Sequence, residues 1–195
     1  MNLKRFAAML AGMLLSVAVH AAAKLGERAP DFTLTDLVGK PVKLSDYKGQ
    51  HVVLEWTNPS CPYVAKHYDT GNMPGLQKAY AEKSVAWLLI SSTNPSHHEY
   101  ANEAQTSKWI ADKSAVPTRT MLDKEGTVGR LYEARTTPHM FIVDPAGTLI
   151  FAGGIDDKRS WNPEDVKTAK NYVRAALDES LAGKPVGIAT ATPYG

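Results

Sequence analysis

Short apolar runs that favour β-strands alternate with helical segments along the chain, and this alternation constrains the fold more than any other feature. Strands separated by helices are typical of an α/β protein, in which helices pack on both faces of a central mixed sheet. The run from Ser84 to Ser91 is almost continuously apolar, which predicts a strand buried on both faces. The other strands are predicted at residues 31–35, 42–44, 51–56, 118–122, 140–143 and 148–151.

Capping and stop residues define the helices between these strands. Asn162 followed by Pro163 is typical of a helix start, and Gly183 with Pro185 marks the end of that helix. Residues 186–195 show no periodicity, so they are predicted to form an irregular tail. Helices are predicted from Cys61 through residue 68, at 74–82, at 97–113 with Ser96 as the cap, at 126–132 and at 163–183.

The N-terminus has the pattern of an export signal. Lys4 and Arg5 precede an apolar run over residues 6–19, and small residues follow, with cleavage expected after Ala21 or Ala23. Residues 1–23 are therefore predicted to be a signal peptide, and residues 24–185 a single domain. No cysteine stands at the expected cleavage site, which argues against a lipoprotein anchor. We expect a periplasmic or secreted protein with no stable membrane insertion after cleavage.

Export also changes the charge balance. The whole chain has 22 basic and 20 acidic residues, a formal net charge of +2. Removing Lys4 and Arg5 leaves 20 of each, so the exported chain is about neutral. Without a basic stripe, the sequence gives no indication of nucleic-acid binding.

Cys61 is the only cysteine, which matters in an oxidising compartment. No disulfide can form within the chain, so this thiol is either buried and inert or reacts with an external partner. It follows a predicted strand and directly precedes Pro62, which places it at a helix N-terminus. Free N–H groups and the positive end of the helix dipole favour a thiolate there. The alternative is a small buried apolar residue, a common role for free cysteine.

An ordered set of motifs resembles the thioredoxin superfamily. The motifs are 26–32 (GERAPDF), Glu55-Trp56, Cys61-Pro62, Thr137-Pro138 and 141–147 (FIVDPAG). Within the superfamily they are most similar to the redoxin branch, which groups alkyl-hydroperoxide-reductase and thiol-specific-antioxidant (AhpC/TSA-like) proteins with periplasmic thiol–disulfide oxidoreductases. The resemblance covers roughly residues 25–181 and implies a thioredoxin-like fold.

The resemblance implies a role for four residues. Cys61 takes the place of the nucleophilic cysteine, Glu55 that of a buried carboxylate that transfers protons, and Pro138 that of a cis-proline beside the cysteine. The backbone of Thr137 would pair with a peptide substrate. Val64 stands where the family's C-x-x-C motif has its second cysteine, so the resolving thiol would have to come from glutathione or another protein.

Several other residues are weaker candidates. Lys66 and His67 lie within two helical turns of Cys61, and His139 is next to Pro138. Cys61, His67 and His139 together could bind copper or zinc, but no metal or other cofactor is predicted. The cluster His97-His98-Glu99 resembles a metal site, but its residues are adjacent in sequence, and adjacent residues do not share a helix face.

Three functions remain open at this stage. The first is thiol–disulfide exchange through Cys61 with a protein or small-molecule substrate. The second is a one-cysteine peroxidase, although Asn58 and Leu54 replace the Thr or Ser and the Pro that peroxiredoxins have there. The third is a non-catalytic binding or assembly module. A natural chain extending past Gly195 with a further cysteine would supply an internal resolving thiol, which an intact-mass measurement would detect.

Overall fold

The computed structural model describes residues 22–195, so residues 1–21 of the predicted signal peptide (residues 1–23) lie outside the described residues. Seven strands are present in the described part: β1 Thr33–Thr35, β2 Pro41–Lys43, β3 Val52–Trp56, β4 Ala86–Ser91, β5 Arg119–Leu122, β6 His139–Val143 and β7 Leu149–Gly153. Five α-helices accompany them: α1 Pro62–Asp69, α2 Asn72–Ala81, α3 Glu103–Asp112, α4 Thr127–Leu131 and α5 Tyr172–Leu181. Short 3₁₀ helices occupy Leu44–Tyr47 and Pro163–Lys167.

Five strands form one mixed sheet in the order β5-β4-β3-β6-β7. β3, β4 and β5 run parallel, whereas β6 runs antiparallel to both β3 and β7. β1 and β2 form a separate antiparallel hairpin. The sheet and its helices confirm the predicted α/β class.

The central strands are apolar on both sides because both faces of the sheet are covered. Alternate residues of β3 belong to opposite cores, with Val53 in one and Leu54 in the other. Helices α1, α2 and α5 supply the first core with Val64, Leu76 and Leu177, respectively, while α4 and the N-terminal hairpin cover the second. Within residues 22–195 no helix is both long enough and apolar enough to cross a membrane.

The predicted helix at 97–113 is too long at its N-terminus. α3 begins only at Glu103, and its cap is Asn102 instead of Ser96. Asn102 and Gln105 form a reciprocal capping box, with bonds of 2.9 and 3.0 Å. The Asn94 side chain accepts hydrogen bonds from both the backbone and the hydroxyl of Ser96, which closes a turn there. The side-chain turn therefore competes successfully with an earlier helix start.

The predicted helix at 163–183 is two separate elements. Asn162 caps only the short 3₁₀ helix, and α5 starts after Asn171, whose side chain accepts a 2.8 Å hydrogen bond from Arg174 N. Asn171 also pairs with Asp156 in an isolated antiparallel bridge. This long-range pairing interrupts the helix, and local capping signals could not reveal it. α5 ends at Leu181, and Gly183, with a φ of +69°, follows as the predicted stop residue.

Residues 186–195 form neither a helix nor a regular strand, yet they follow a fixed path beside β7. The backbone N–H of Ala152 donates to Ala189 O at 3.0 Å, and that of Gly154 donates to Ala191 O at 3.3 Å. Tyr194 is only 7% exposed, which makes it part of the core. We refer to residues 186–195 as the tail.

Candidate functional site

The loop between β3 and α1 fixes the backbone of Cys61. Asn58 organises this loop, because its side-chain oxygen accepts from Ser60 N at 2.8 Å and its carbonyl accepts from Cys61 N at 3.1 Å. Cys61 itself is the N-cap of α1, with extended backbone angles, and Pro62 is the first helical residue. Cys61 O accepts the first helical hydrogen bond, from Ala65 N at 2.9 Å. The predicted placement of the thiol at a helix N-terminus is confirmed.

Thr137 lies directly against this cysteine. β6 pairs antiparallel with β3, with Trp56 opposite His139, so the residues just before β6 meet the residues just after β3. The Thr137–Pro138 peptide bond is cis, as the resemblance implied. The Sγ–H of Cys61 donates to Thr137 O at 3.0 Å. The backbone of Thr137 is therefore in direct contact with the sulfur of Cys61.

A cleft of about 440 Å³ opens beside the half-buried Cys61. That volume falls within the range of small-molecule sites. Thr137 and Gly195 border it on one side. Its other walls contain aromatic, hydroxyl and charged side chains: Trp56, Tyr63, Ser92, Thr93, Glu99 and Arg135.

Glu55 is fully buried at the centre of a separate polar network. Its carboxylate accepts hydrogen bonds from Trp87 Nε1 at 2.7 Å and from the Tyr68 hydroxyl at 2.8 Å. Gln77 in turn donates to the Tyr68 oxygen at 3.2 Å. Burial raises the pKa of Glu55 from its ordinary value of 4.5 to about 7, although these hydrogen bonds oppose the rise. The carboxyl can therefore exchange a proton near neutral pH.

The Glu55 carboxylate is hydrogen-bonded to Tyr68, which lies at the end of α1 far from Cys61. Tyr68 follows Cys61 by seven residues, which is about 10 Å along a helix axis. Val64 lies between them and is 1% exposed. A proton-transfer role for Glu55 toward Cys61 therefore stays a prediction.

Lys66 and His67 face inward from α1 and do not belong to its solvated face. Lys66 is 2% exposed, and its Nζ lies 3.5 Å from the buried carboxylate of Asp156. The Tyr194 hydroxyl donates to that carboxylate and accepts from Lys66 Nζ at 3.3 Å. We call Lys66, His67, Asp156 and Tyr194 the anchor cluster.

The protonation of His67 is consistent with these contacts. Burial lowers the pKa of His67 to about 3, so the ring is neutral at pH 7. A neutral ring satisfies both contacts when Nε2 donates to the Tyr194 hydroxyl at 3.2 Å and Nδ1 accepts from Asn72 at 2.9 Å. His67 is thus committed to positioning Tyr194 and is not free to pair with Cys61.

Three other histidines, His97, His98 and His139, do not line the cleft beside Cys61. Burial lowers the pKa of His139 to about 4, and its Nδ1 accepts from the backbone of Arg135 at 3.3 Å. His97 and His98 are exposed, with stacked rings in the loop before α3. Among residues 22–195 no group of three or more His, Cys, Asp or Glu side chains could hold a metal ion.

The structure thus brings together three of the four predicted site residues, Cys61, Thr137 and Pro138, and places the carboxyl of Glu55 in its own network. The sequence analysis missed Asp156 and Tyr194. Their only sequence signal was Tyr194 within the closing Pro-Tyr-Gly, whose lack of periodicity predicted an irregular tail. Burial of Tyr194 depends on contacts with residues more than 100 positions earlier, such as His67.

The chain is similar in sequence to one protein family and to several thioredoxin-like proteins. The model of the family described as AhpC/TSA matches residues 25–152. The thiol-disulfide oxidoreductase ResA of Bacillus thuringiensis subsp. konkukian is 27% identical over 128 residues, covering 65% of this chain and 68% of ResA. The thioredoxin-like protein YneN of Bacillus subtilis is 29% identical over 124 residues, covering 64% and 68%.

Solved structures show the same fold. An uncharacterized conserved protein from Geobacillus kaustophilus matches with a TM-score of 0.74 and 26% identity, covering 87% of each chain. A putative thiol:disulfide interchange protein DsbE from Chlorobium tepidum matches with a TM-score of 0.55 and 25% identity, covering 67% of this chain and 85% of that protein. The fold is therefore thioredoxin-like, and the relatives include thiol–disulfide oxidoreductases.

Proposed function

The chain belongs to the AhpC/TSA family, and from this premise we propose that it acts by thiol–disulfide exchange through Cys61. The observation that carries the proposal is the placement of the Cys61 thiol. It lies at the N-terminus of α1, against the backbone of Thr137, and at the border of an open cleft. A half-buried thiol in this position can be reached by a disulfide, and exchange proceeds by attack of its thiolate on a disulfide sulfur.

The exchange has two steps. The Cys61 thiol first loses its proton to solvent, and the thiolate attacks one sulfur of a substrate disulfide. A new disulfide forms between Cys61 and that sulfur while the substrate S–S bond breaks, and the other sulfur leaves as a thiolate that takes up a proton. An external thiol then attacks the mixed disulfide, releases Cys61 and forms a new disulfide with the substrate. Since Val64 replaces the second cysteine, this external thiol is required.

Glu55 is proposed to assist by exchanging a proton near neutral pH. Its pKa of about 7 suits that task. Tyr68 and Val64 lie along α1 between the Glu55 carboxyl and Cys61. Glu55 would therefore influence the reactivity of Cys61 through α1 and not by direct contact. If so, Glu55→Gln slows exchange and removes an inflection near pH 7 from its pH profile. An unchanged rate across this pH range would exclude Glu55 from the mechanism.

We also propose that the protein is exported, on the basis of the positive, apolar and small-residue pattern of residues 1–23. An oxidising compartment would supply disulfide substrates, because disulfides form and persist there. Expression with the native N-terminus, followed by fractionation and N-terminal sequencing, tests this. An uncleaved chain retained in the cytoplasm would contradict it.

The decisive experiment measures mixed-disulfide formation at Cys61. The chain is incubated with glutathione disulfide at pH 7, and the adduct is followed by intact mass. We expect a rate at least about tenfold above that of the same chain unfolded in urea, because only the folded chain has the helix N-terminus. Cys61→Ser is the control and should form no adduct.

Two results separate the alternatives. If the folded chain reacts no faster than the unfolded chain, Cys61 has no special reactivity and a binding module is the better interpretation. A parallel reaction with hydrogen peroxide tests the peroxidase alternative. Oxidation of Cys61 no faster than in the unfolded chain would exclude it.

A further inference from the structure

The tail reaches across the molecule to the cysteine, and Tyr194 holds it there. The anchor cluster surrounds the Tyr194 hydroxyl with a carboxylate acceptor and two donors, all buried. The aromatic ring is also contacted, by Tyr63 at a centroid distance of 5.7 Å and by Lys66 Nζ at 5.2 Å. These simultaneous contacts to one side chain anchor the tail in the structure.

Gly195, the next residue, consequently lies on the backbone of Thr137. A Cβ atom added to Gly195 would be 2.9 Å from both the amide nitrogen and the carbonyl carbon of Thr137, and closer still to its oxygen. Real Cβ atoms do not approach backbone this closely. The same Thr137 oxygen accepts the hydrogen bond from Cys61 Sγ at 3.0 Å. The tail and the thiol thus occupy adjacent positions on one peptide group.

This arrangement affects which substrates can approach. An extended polypeptide that delivers a disulfide to Cys61 by strand addition would need the free backbone edge of Thr137. Gly195 covers that edge. The cleft beside Cys61, which Thr137 and Gly195 also line, remains open, and it presents Arg135 and Glu99, two opposite charges suited to a zwitterionic small molecule.

We propose that Tyr194 and Gly195 restrict exchange at Cys61 to small-molecule disulfides by covering the Thr137 edge against extended polypeptides. This inference rests on the proposed function of Cys61. Tyr194 is a positioning residue that acts through the tail, and Gly195 is the residue that covers the edge. The prediction is a selectivity between substrates, and not merely an overall rate.

The test compares two disulfides of similar chemistry. One is glutathione disulfide, and the other joins two identical ten-residue peptides through a central cysteine. Rates of adduct formation at Cys61 are divided by the rates for the urea-unfolded chain, which corrects for intrinsic reactivity. We expect the corrected rate to favour glutathione disulfide by at least about tenfold.

Two variants disturb the tail in different ways. Tyr194→Phe removes the anchoring hydroxyl and keeps the ring, while Gly195→Val forces the tail away from Thr137 and leaves the anchor cluster intact. Each should reduce the selectivity ratio by about tenfold by raising the peptide rate. Tyr80→Phe is the matched control, because the Tyr80 hydroxyl donates to Asp178 at 2.8 Å, away from the cleft. Circular dichroism confirms that each variant is folded.

The outcomes are distinct. A selectivity ratio near one in the unaltered chain, or a ratio unchanged in both tail variants, would overturn the inference while leaving exchange at Cys61 intact. An equal loss of selectivity in Tyr80→Phe would also overturn it, since the effect would then be general. If neither disulfide reacts at Cys61 in any folded variant, the proposed function itself is wrong and the inference falls with it.

Discussion

Replacing Glu55 with glutamine should remove a large pH dependence from the stability of this protein. The carboxyl is completely buried, and its pKa is raised from 4.5 to about 7 chiefly by burial. The unfolded chain therefore loses this proton at a lower pH than the folded chain does. Between pH 4.5 and 7 the folded state binds more protons, so the free energy of unfolding decreases as the pH rises.

The size of the effect follows from the pKa difference. At about 1.4 kcal/mol for each pKa unit, the rise corresponds to about 3 kcal/mol of stability, present below pH 4.5 and lost once the pH exceeds 7. Glutamine keeps an oxygen that can accept from Trp87 Nε1, and it carries no charge at any pH. The variant should thus lack this component of the pH dependence.

The assay is urea unfolding of the wild type and of Glu55→Gln at intervals from pH 4.5 to 8. The difference between the two free energies isolates Glu55, because all other titrating groups are shared. Glu82→Gln, at an exposed position after α2, shows what the exchange of glutamate for glutamine does by itself. A wild-type-minus-variant difference that changes by less than about 1 kcal/mol across this range would refute the reasoning.

Three further predictions concern other buried residues. Trp87→Phe removes a hydrogen bond that lowers the pKa of Glu55, so the fall in stability should shift to higher pH in the same assay. Burial lowers the pKa of His139 from 6.5 to about 4, so the unfolded state takes up this proton at a higher pH than the folded state does. About 3 kcal/mol of the free energy of unfolding should therefore be lost between pH 6.5 and pH 4, and His139→Gln should not show this loss. Leu177→Ala, at a fully buried position of α5, should cost about 2–5 kcal/mol in thermal or urea unfolding, whereas Leu181→Ala, 36% exposed on the same helix, should cost less than about 1 kcal/mol.

Local signals in the sequence were sufficient for most of the elements. Strands such as β4 were predictable because a continuous apolar run is typical of a strand buried on both faces. The helix after Cys61 was predictable because proline is favoured in the first turn of a helix. One helix prediction failed because two local signals competed. Ser96 and Asn102 can both cap a helix, and the turn that Asn94 forms with Ser96 leaves Asn102 as the cap of α3. The other failed because the pairing of Asn171 with Asp156 is long-range.

The sequence alone determined the fold class and the position of the one thiol at a helix N-terminus. Those properties depend on residues within a few positions of each other. The tertiary structure decided which groups surround that thiol, because Thr137 meets Cys61 only through the pairing of β3 with β6. It likewise decided that the tail is anchored, since Tyr194 meets Lys66 and Asp156 across separations of 128 and 38 residues. No periodicity or motif encodes such contacts; they arise when the sheet and its helices close around one core.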